Sequence, residues 1–314
     1  MRLSDRIGRR IKLQDLHILM TVVQAGSMGK AARQLNTSQP NISKSIADLE
    51  HALGVRLLDR HRQGIEPTEF GHALLGGGTA VFDELRQTLK NIEFLADPSS
   101  GEIRVGCTPL LAASFASAVV DRLSQRHPGI VFHLVTGYAE ALHQQLHERK
   151  VDFLIARQLG PLSDKQLSFE YLFHDTGVIA VGSQSAWARR RKITLAEIID
   201  APWVLSPPAS GIISIAMQAL AACGLGYPRA TVITDSPEVR MSLLGTGRFL
   251  TIFPASALRF PVERSELKIL PIELPMKSVP NGVVMLKNRT VSPVARLFID
   301  TARDVAKPLA KGHS

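Results

Sequence analysis

The sequence predicts an α/β chain made of unlike parts: an α-rich winged helix-turn-helix head over 1–68, a long helix over 69–95, a hinge over 96–102 and a two-lobed α/β region over 103–314. Three observations predict it. Apolar residues up to Leu95 recur at helical spacing, strand and helix signals alternate from residue 103 onward, and the turn-rich ADPSSGE stretch separates the two regimes.

In the head, Leu16, Met20 and Val23 share one face of a first helix and are expected to form the third wall of a small core. Ala31, Ala32 and Leu35 mark a short second helix, which Asn36 and Thr37 break. The hydroxyl of Ser38 then suits the cap of a third helix, on which Ile42, Ile46, Leu49 and Leu53 fall in one apolar stripe. The opposite face carries Pro40, Lys44, Ala47 and Asp48, flanked by Gln39, Asn41 and Ser43. Gln and Asn amides match adenine edges, Lys matches guanine or phosphate, and a helix N-terminus favours phosphate. SMGKAARQLNTSQPNISKSIADLE (27–50) therefore reads as a helix-turn-helix whose second helix enters the major groove of double-stranded DNA. A plain helical hairpin with a solvated outer face is the competing reading.

Gly54 is expected to stop the reading helix, and VRLLDRHRQGIEPT (55–68) reads as a hairpin with Gln63-Gly64 at its tip. Arg60, His61 and Arg62 beside that tip suit a wing lying on the phosphate backbone or the minor groove. Residues 1–62 hold eleven Lys/Arg against five Asp/Glu, a net +6 of the chain's +9. From Thr68 the helix 69–95 places Phe70, Leu74, Val81, Leu85, Ile92 and Leu95 in a single stripe, a pattern suited to packing against a second copy of the chain. Gly76, Gly77 and Gly78 interrupt it, each at about 1 kcal/mol relative to Ala, and predict weakening or bending unless backbones pack closely there.

Beyond the hinge, IRVGCT (103–108), IVFHLVT (130–136) and DFLIA (152–156) read as strands separated by helices over 110–128 and 139–150. FEYLFH (169–174) and TGVIAVG (176–182) are taken to open a second series, continued by APWVL, GIISIAMQALAACG, ATVIT, PEVRMSLLGTG and FLTIFP, with strands near Lys268 and Val283 and a helix from Ser292. Repeated β-α-β units give parallel sheets. A chain that leaves the first unit and returns makes two lobes, expected at about 103–165 with 267–314, and at about 166–266. Ligands of open α/β sheets bind outside the carboxyl ends of strands. Those positions are Cys107, Thr108 and Pro109, then Gly137 and Tyr138, then Ser206, Pro207 and Ser210, and Pro254. Thr108 and Ser210 are the preferred hydroxyl donors, with helix capping as the alternative role, and such a lining suits a small carboxylate.

Enzyme signatures are missing: there is no Gly-x-Ser-x-Gly, His-Glu-x-x-His, phosphate loop or Cys-x-x-Cys. His143 and His147 have a metal-compatible spacing without a third ligand, so no metal or cofactor is expected. Cys107 has no cationic neighbour in sequence to activate it, and two cysteines fit a reducing compartment. No apolar run approaches the ~18–20 residues of a membrane span, and the basic MRLSDRIGRRIK start has no apolar segment after it, so a cytoplasmic protein is expected.

The stretches AARQLNTSQPNISKSIADLEHALGVRLLDR and PTEFGHALL make the segment from about Leu13 to Leu95 resemble the N-terminal region of LysR-type transcriptional regulators. The resemblance implies that Gln39, Pro40, Ser43 and Lys44 sit at the groove, that Arg60 and Arg62 lie on the wing, and that the linker helix forms an antiparallel dimer contact. Lys44, where the family usually has Arg, and Asn41, where a small apolar residue is usual, both touch base preference, so the operator sequence does not carry over. IRVG, GYAEALHQQLHERKVDFLIA and LLGTGRFLTIFPAS resemble more loosely the effector domain of that family, a type 2 periplasmic-binding-protein fold with Thr108 at the inter-lobe cleft. A regulator with a small-molecule inducer, working as a dimer or tetramer with RNA polymerase, is the implied function. A solute-binding or enzymatic α/β domain fused to a DNA-anchoring head is the alternative. The two differ in whether the chain occupies specific DNA sites.

Overall fold

The computed structural model describes residues 8, 11–61, 64–160, 163–207, 211–222, 224, 226, 228–260 and 266–310. Two compact units divide at Arg86/Gln87.

The first unit contains helices α1 (Leu13–Ala25), α2 (Met28–Gln34) and α3 (Gln39–Leu53), then the hairpin β1 (Leu58–His61) and β2 (Gly64–Pro67). Its core joins Ile18, Leu19 and Val22 of α1 to Ala31 and Ala32 of α2 and Ile42, Ile46 and Leu49 of α3, closed below by Leu57 and Leu58. Removing each Ile, Leu or Val side chain of this core from water contributes roughly 1.5–3 kcal/mol. Of the three residues expected to form the α1 wall, Val23 packs on this core beside Ile18, Leu19 and Val22. Leu16 and Met20 instead lie beside Gly78, where an added Cβ would stand 3.6 Å from the Met20 sulfur.

Local chemistry sets the helix ends. Asn36 takes a left-handed φ of 50°, tolerable for a short polar side chain, and ends α2 with a tight reversal. Gly54 takes φ 77° at the end of α3, where its N–H reaches the Glu50 carbonyl. Thr68 starts α4 (Glu69–Ala96), its hydroxyl accepting from Gly71 N–H at 3.1 Å and donating to the Arg56 carbonyl at 2.8 Å. Gly71 sits so near the chain that a Cβ there would stand 2.1 Å from the Leu57 carbonyl oxygen. α4 runs unbroken through Gly76–Gly78, and the sites a Cβ would occupy on Gly76 and Gly77 are open. Leu74 packs on the head core, whereas Phe70, Val81, Leu85, Leu89, Ile92 and Leu95 are exposed.

The second unit holds two five-stranded sheets. The chain passes through β3 (Ser100–Cys107), α5 (Pro109–Leu111), a π-helical turn (Ala112–Ala116), α6 (Ser117–Ser124), β4 (Gly129–Thr136), α7 (Ala139–His147), β5 (Phe153–Arg157) and β6 (Leu167–Asp175). It crosses to the other lobe through β7 (Gly177–Gly182), a 3-10 turn (Ala186–Arg189), α8 (Leu195–Ile198), β8 (Trp203–Leu205), α9 (Gly211–Ala222) and β9 (Ala230–Ile233). There follow α10 (Pro237–Gly245), β10 (Leu250–Pro254), a second 3-10 turn (Ala255–Leu258) and β11 (Leu267–Ile269). β12 (Val279–Leu286) and α11 (Pro293–Ala310) return to the first lobe.

The first sheet runs β4-β3-β5-β12-β6 and the second β11-β7-β10-β8-β9. β6 pairs along its length with β12, so FEYLFH, assigned from sequence to the second lobe, closes the first sheet; β11 belongs to the second. The first crossing therefore falls at Asp175–Gly177, where the Asp175 carboxylate accepts from the N–H groups of Thr176 and Ser256, each at 3.0 Å, and from the Ser256 hydroxyl. Local periodicity marks a strand but not its neighbour, which is why the sequence misplaced this one.

In the first lobe, Ile103, Val105, Phe153 and Ile155 meet Phe115, Phe298 and Ile299 of the covering helices, while Leu154, Leu167 and Val284 on the other sheet face meet Leu142 and Leu146 of α7. In the second lobe, Gly182 lets α10 come close: a Cβ there would lie 2.0 Å from the Leu244 carbonyl oxygen. That approach positions α10 against the sheet, and with it Arg240.

Candidate functional sites

The outer face of α3 stands clear. Ser38, Gln39, Pro40, Asn41 and Lys44 are exposed, Ser43 is half-buried, and the Ser38 hydroxyl accepts the Asn41 N–H at 3.4 Å. The Asn41 side-chain amide donates to the Thr37 hydroxyl at 3.3 Å, which fixes it across the turn. Arg60 on β1 is exposed and its guanidinium donates to the Ser43 hydroxyl at 3.4 Å, bringing wing and helix into one surface. Arg62 lies outside the described residues. One group unforeseen from sequence aligns these pieces. The Glu50 carboxylate, at the far end of α3, accepts the backbone N–H groups of Leu57 at 2.7 Å and Leu58 at 3.2 Å, tying the wing's first strand to the helix. Residues matched to base and phosphate chemistry are thus held on one exposed strip.

In the second unit a cavity of about 290 Å³ lies between the lobes. Thr108, Tyr138 and Ser206, named from sequence, line it together with Pro109. Cys107, Gly137, Pro207 and Pro254 do not, and Ser210 lies outside the described residues. Cys107 follows the alternation Ile103, Val105, Cys107 and so points into the core, where burial pushes its thiol up to about 12. That excludes a reactive thiolate at neutral pH.

Two arginines that the sequence did not single out also line the cavity, one from each lobe: Arg157, at the end of β5, and Arg240, on α10. Arg240 is 3% exposed, donates to the Ser206 hydroxyl and stacks over the Phe253 ring at 5.1 Å. Among the described residues, Arg240 Nε and Nη1, Arg157 Nε and Nη2, and the Thr108 hydroxyl are buried without a hydrogen-bond partner. Desolvation lowers both arginines, Arg240 to about 10, and a guanidinium keeps its proton in a protein at neutral pH. A buried donor left unpaired costs about 1–3 kcal/mol and more when charged, so this arrangement favours an incoming anion. The available signals were slight: a charge ending the apolar run DFLIAR, and an arginine within the apolar helix PEVRMSLL. His143 and His147 are engaged separately. His147 pairs with Asp164 at 2.8 Å, and His143 lies in the cavity wall, its pKa lowered first by burial and then by His147. No group of three metal-binding side chains occurs among the described residues.

A winged helix-turn-helix joined to a two-lobed α/β domain with an anion-favouring cleft defines a DNA-binding regulator of the effector-responsive class. The chain belongs to the LysR family. Residues 13–72 match the bacterial regulatory helix-turn-helix protein domain of that family and residues 96–307 its LysR substrate binding domain. The transcriptional regulator PcaQ of Agrobacterium fabrum is 26% identical over 309 residues, spanning 98% of this chain and 99% of that protein. GbpR of Azospirillum brasilense is 24% identical over 295 residues, 94% of this chain and 86% of its own. In fold, a full-length OxyR variant from Pseudomonas aeruginosa superposes with a TM-score of 0.67 at 17% identity, over 97% of this chain and 99% of that one. Full-length CbnR, solved with its target DNA, gives 0.62 at 20% identity over 94% and 100%. The protein is a sequence-specific DNA-binding transcriptional regulator with an effector-binding domain. No helix among the described residues is long and apolar enough to cross a membrane.

Proposed function

We propose that this regulator reads its operator with Ser38, Gln39, Pro40, Asn41, Ser43 and Lys44 of α3 and with Arg60 and Arg62 of the wing, and answers to a small carboxylate bound between Thr108, Tyr138, Ser206, Arg157 and Arg240. The observation that carries this is the pair of arginines from opposite lobes, each with unpaired buried guanidinium nitrogens beside an unpaired Thr108 hydroxyl. An anion accepted from both lobes has a higher affinity for the closed arrangement than for the open one, and only such a difference shifts a conformational equilibrium. The exposed apolar stripe of α4 supports self-association, so that paired reading helices meet two half-sites. Ligand closure then changes how the dimers sit on DNA and meet RNA polymerase, in the cytoplasm and with no catalytic step.

The test is selection of bound fragments from genomic DNA, with and without Lys44→Ala. A few dyad-symmetric sites are expected, with Lys44→Ala weakening them by about 1–3 kcal/mol if the ammonium reads a base. Loss equal on all sequences, with a shallower salt slope, assigns Lys44 to phosphate. Diffuse, salt-sensitive occupancy everywhere supports the DNA-anchoring alternative instead. Thr108→Ala is expected to leave DNA binding intact and to abolish the effector response.

A further inference from the structure

The cavity has an apolar wall that an anion site alone does not require. That wall is Leu142 of α7, Leu154 and Ala156 of β5, Leu167 and Phe169 of β6, and Val284 of β12. Leu142, Leu154, Leu167 and Val284 belong to the apolar cluster under that face of the first sheet, so the chamber opens into a hydrophobic layer. Leu159 also lines the cavity and reaches the second lobe so closely that a Cβ on Gly211 would lie 2.5 Å from its Cδ1.

Charge narrows the ligand further. Arg157 feels the carboxylate of Asp175, already held by Ser256 and Thr176. Arg240 lies near the neutral Tyr138 phenol and has no carboxylate partner among the described residues. One positive charge is thus left uncompensated. The remaining carboxylates of the wall leave a second charged group of either sign with little to gain: Asp235 is exposed beside Tyr138, and Asp164 is engaged with His147. An ammonium group gains little from Asp235, because an exposed ion pair contributes only ~0–1 kcal/mol.

Resting on the effector reading above, we infer that the ligand is a monocarboxylate with an apolar aryl or alkyl body, its carboxylate among Arg240, Arg157 and Thr108 and its hydrocarbon in the Leu154–Phe169 chamber. The volume of about 290 Å³ sits at the small end of ligand pockets, which begin near ~300 Å³, and so excludes large conjugates.

The test is calorimetric titration of the full-length protein with butanoate, hexanoate, 3-phenylpropanoate, glutarate, L-phenylalanine and hexylamine. Two added methylenes transfer roughly 1.6 kcal/mol, so hexanoate is expected to bind about fifteenfold tighter than butanoate. 3-Phenylpropanoate is expected to exceed glutarate, L-phenylalanine and hexylamine by tenfold or more. Ala156→Leu, which fills the chamber, is expected to erase the chain-length gain. If that variant fails to fold, the wild-type series decides alone. Binding indifferent to chain length, or tighter for glutarate or L-phenylalanine, overturns the ligand class. Acid binding that follows chain length but leaves DNA occupancy unchanged supports the ligand class and overturns the effector reading, so the two fail separately.

Discussion

Glu50 offers the sharpest test of how the DNA-reading head is held together. One of its carboxylate oxygens accepts two backbone N–H groups, from Leu57 at 2.7 Å and Leu58 at 3.2 Å. Both donors belong to residues buried to 0% and 3% exposure, so they have little access to water once the carboxylate is gone. A hydrogen bond to a charged group contributes ~1.5–3 kcal/mol, and two sharing one acceptor oxygen fall short of additive. Glu50→Ala is therefore expected to cost about 2–3 kcal/mol locally, a rise of roughly 30- to 150-fold in the opening of the wing. Hydrogen exchange of peptides spanning 55–68 measures that opening directly. The consequence for DNA follows from Arg60, which stays on the α3 surface only while β1 keeps its place. Operator affinity should fall, and its salt slope should drop by about one phosphate contact. Glu50→Gln keeps one acceptor oxygen and should land between wild type and Glu50→Ala. Unchanged exchange at Leu57 and Leu58 in Glu50→Ala, with unchanged DNA affinity, would refute the claim that this carboxylate positions the wing.

Two further outcomes follow from packing and titration. Gly71→Ala gains about 1 kcal/mol of helix propensity but puts a Cβ 2.1 Å from the Leu57 carbonyl oxygen, and the ~1–3 kcal/mol of overpacking should win; a head that melts no lower would show the chain relaxing freely there. His143 is held below its ordinary 6.5 first by burial and then by His147, so the unfolded chain binds the more protons just below that value. Stability of the second unit should therefore fall as pH drops through 6.5, and His143→Gln should flatten part of that fall in thermal melts followed by Trp187 and Trp203 fluorescence.

The head was legible in the sequence because its determinants are local. Ser38 caps, Asn36 and Gly54 reverse the chain, and the Ile42–Ile46–Leu49 stripe turns inward; each depends on residues within a turn or two. The lobes were legible as alternating elements for the same reason. Sheet membership was not, since β6 finds β12 across a whole lobe, and strand periodicity is indifferent to which neighbour supplies the hydrogen bonds. The cleft shows the same division. Thr108, Tyr138 and Ser206 follow strand ends and were found by the rule that ligands bind there, whereas Cys107, one residue from Thr108, turns into the core on the strand's alternation. Arg157 and Arg240 line one cavity only because two crossings set one lobe against the other and Gly182 lets α10 approach its sheet. The sequence by itself determined the kind of protein, since caps, turns and apolar stripes are short-range. Only the tertiary structure decided what the cleft prefers, because that preference is a field summed over charges far apart in the chain.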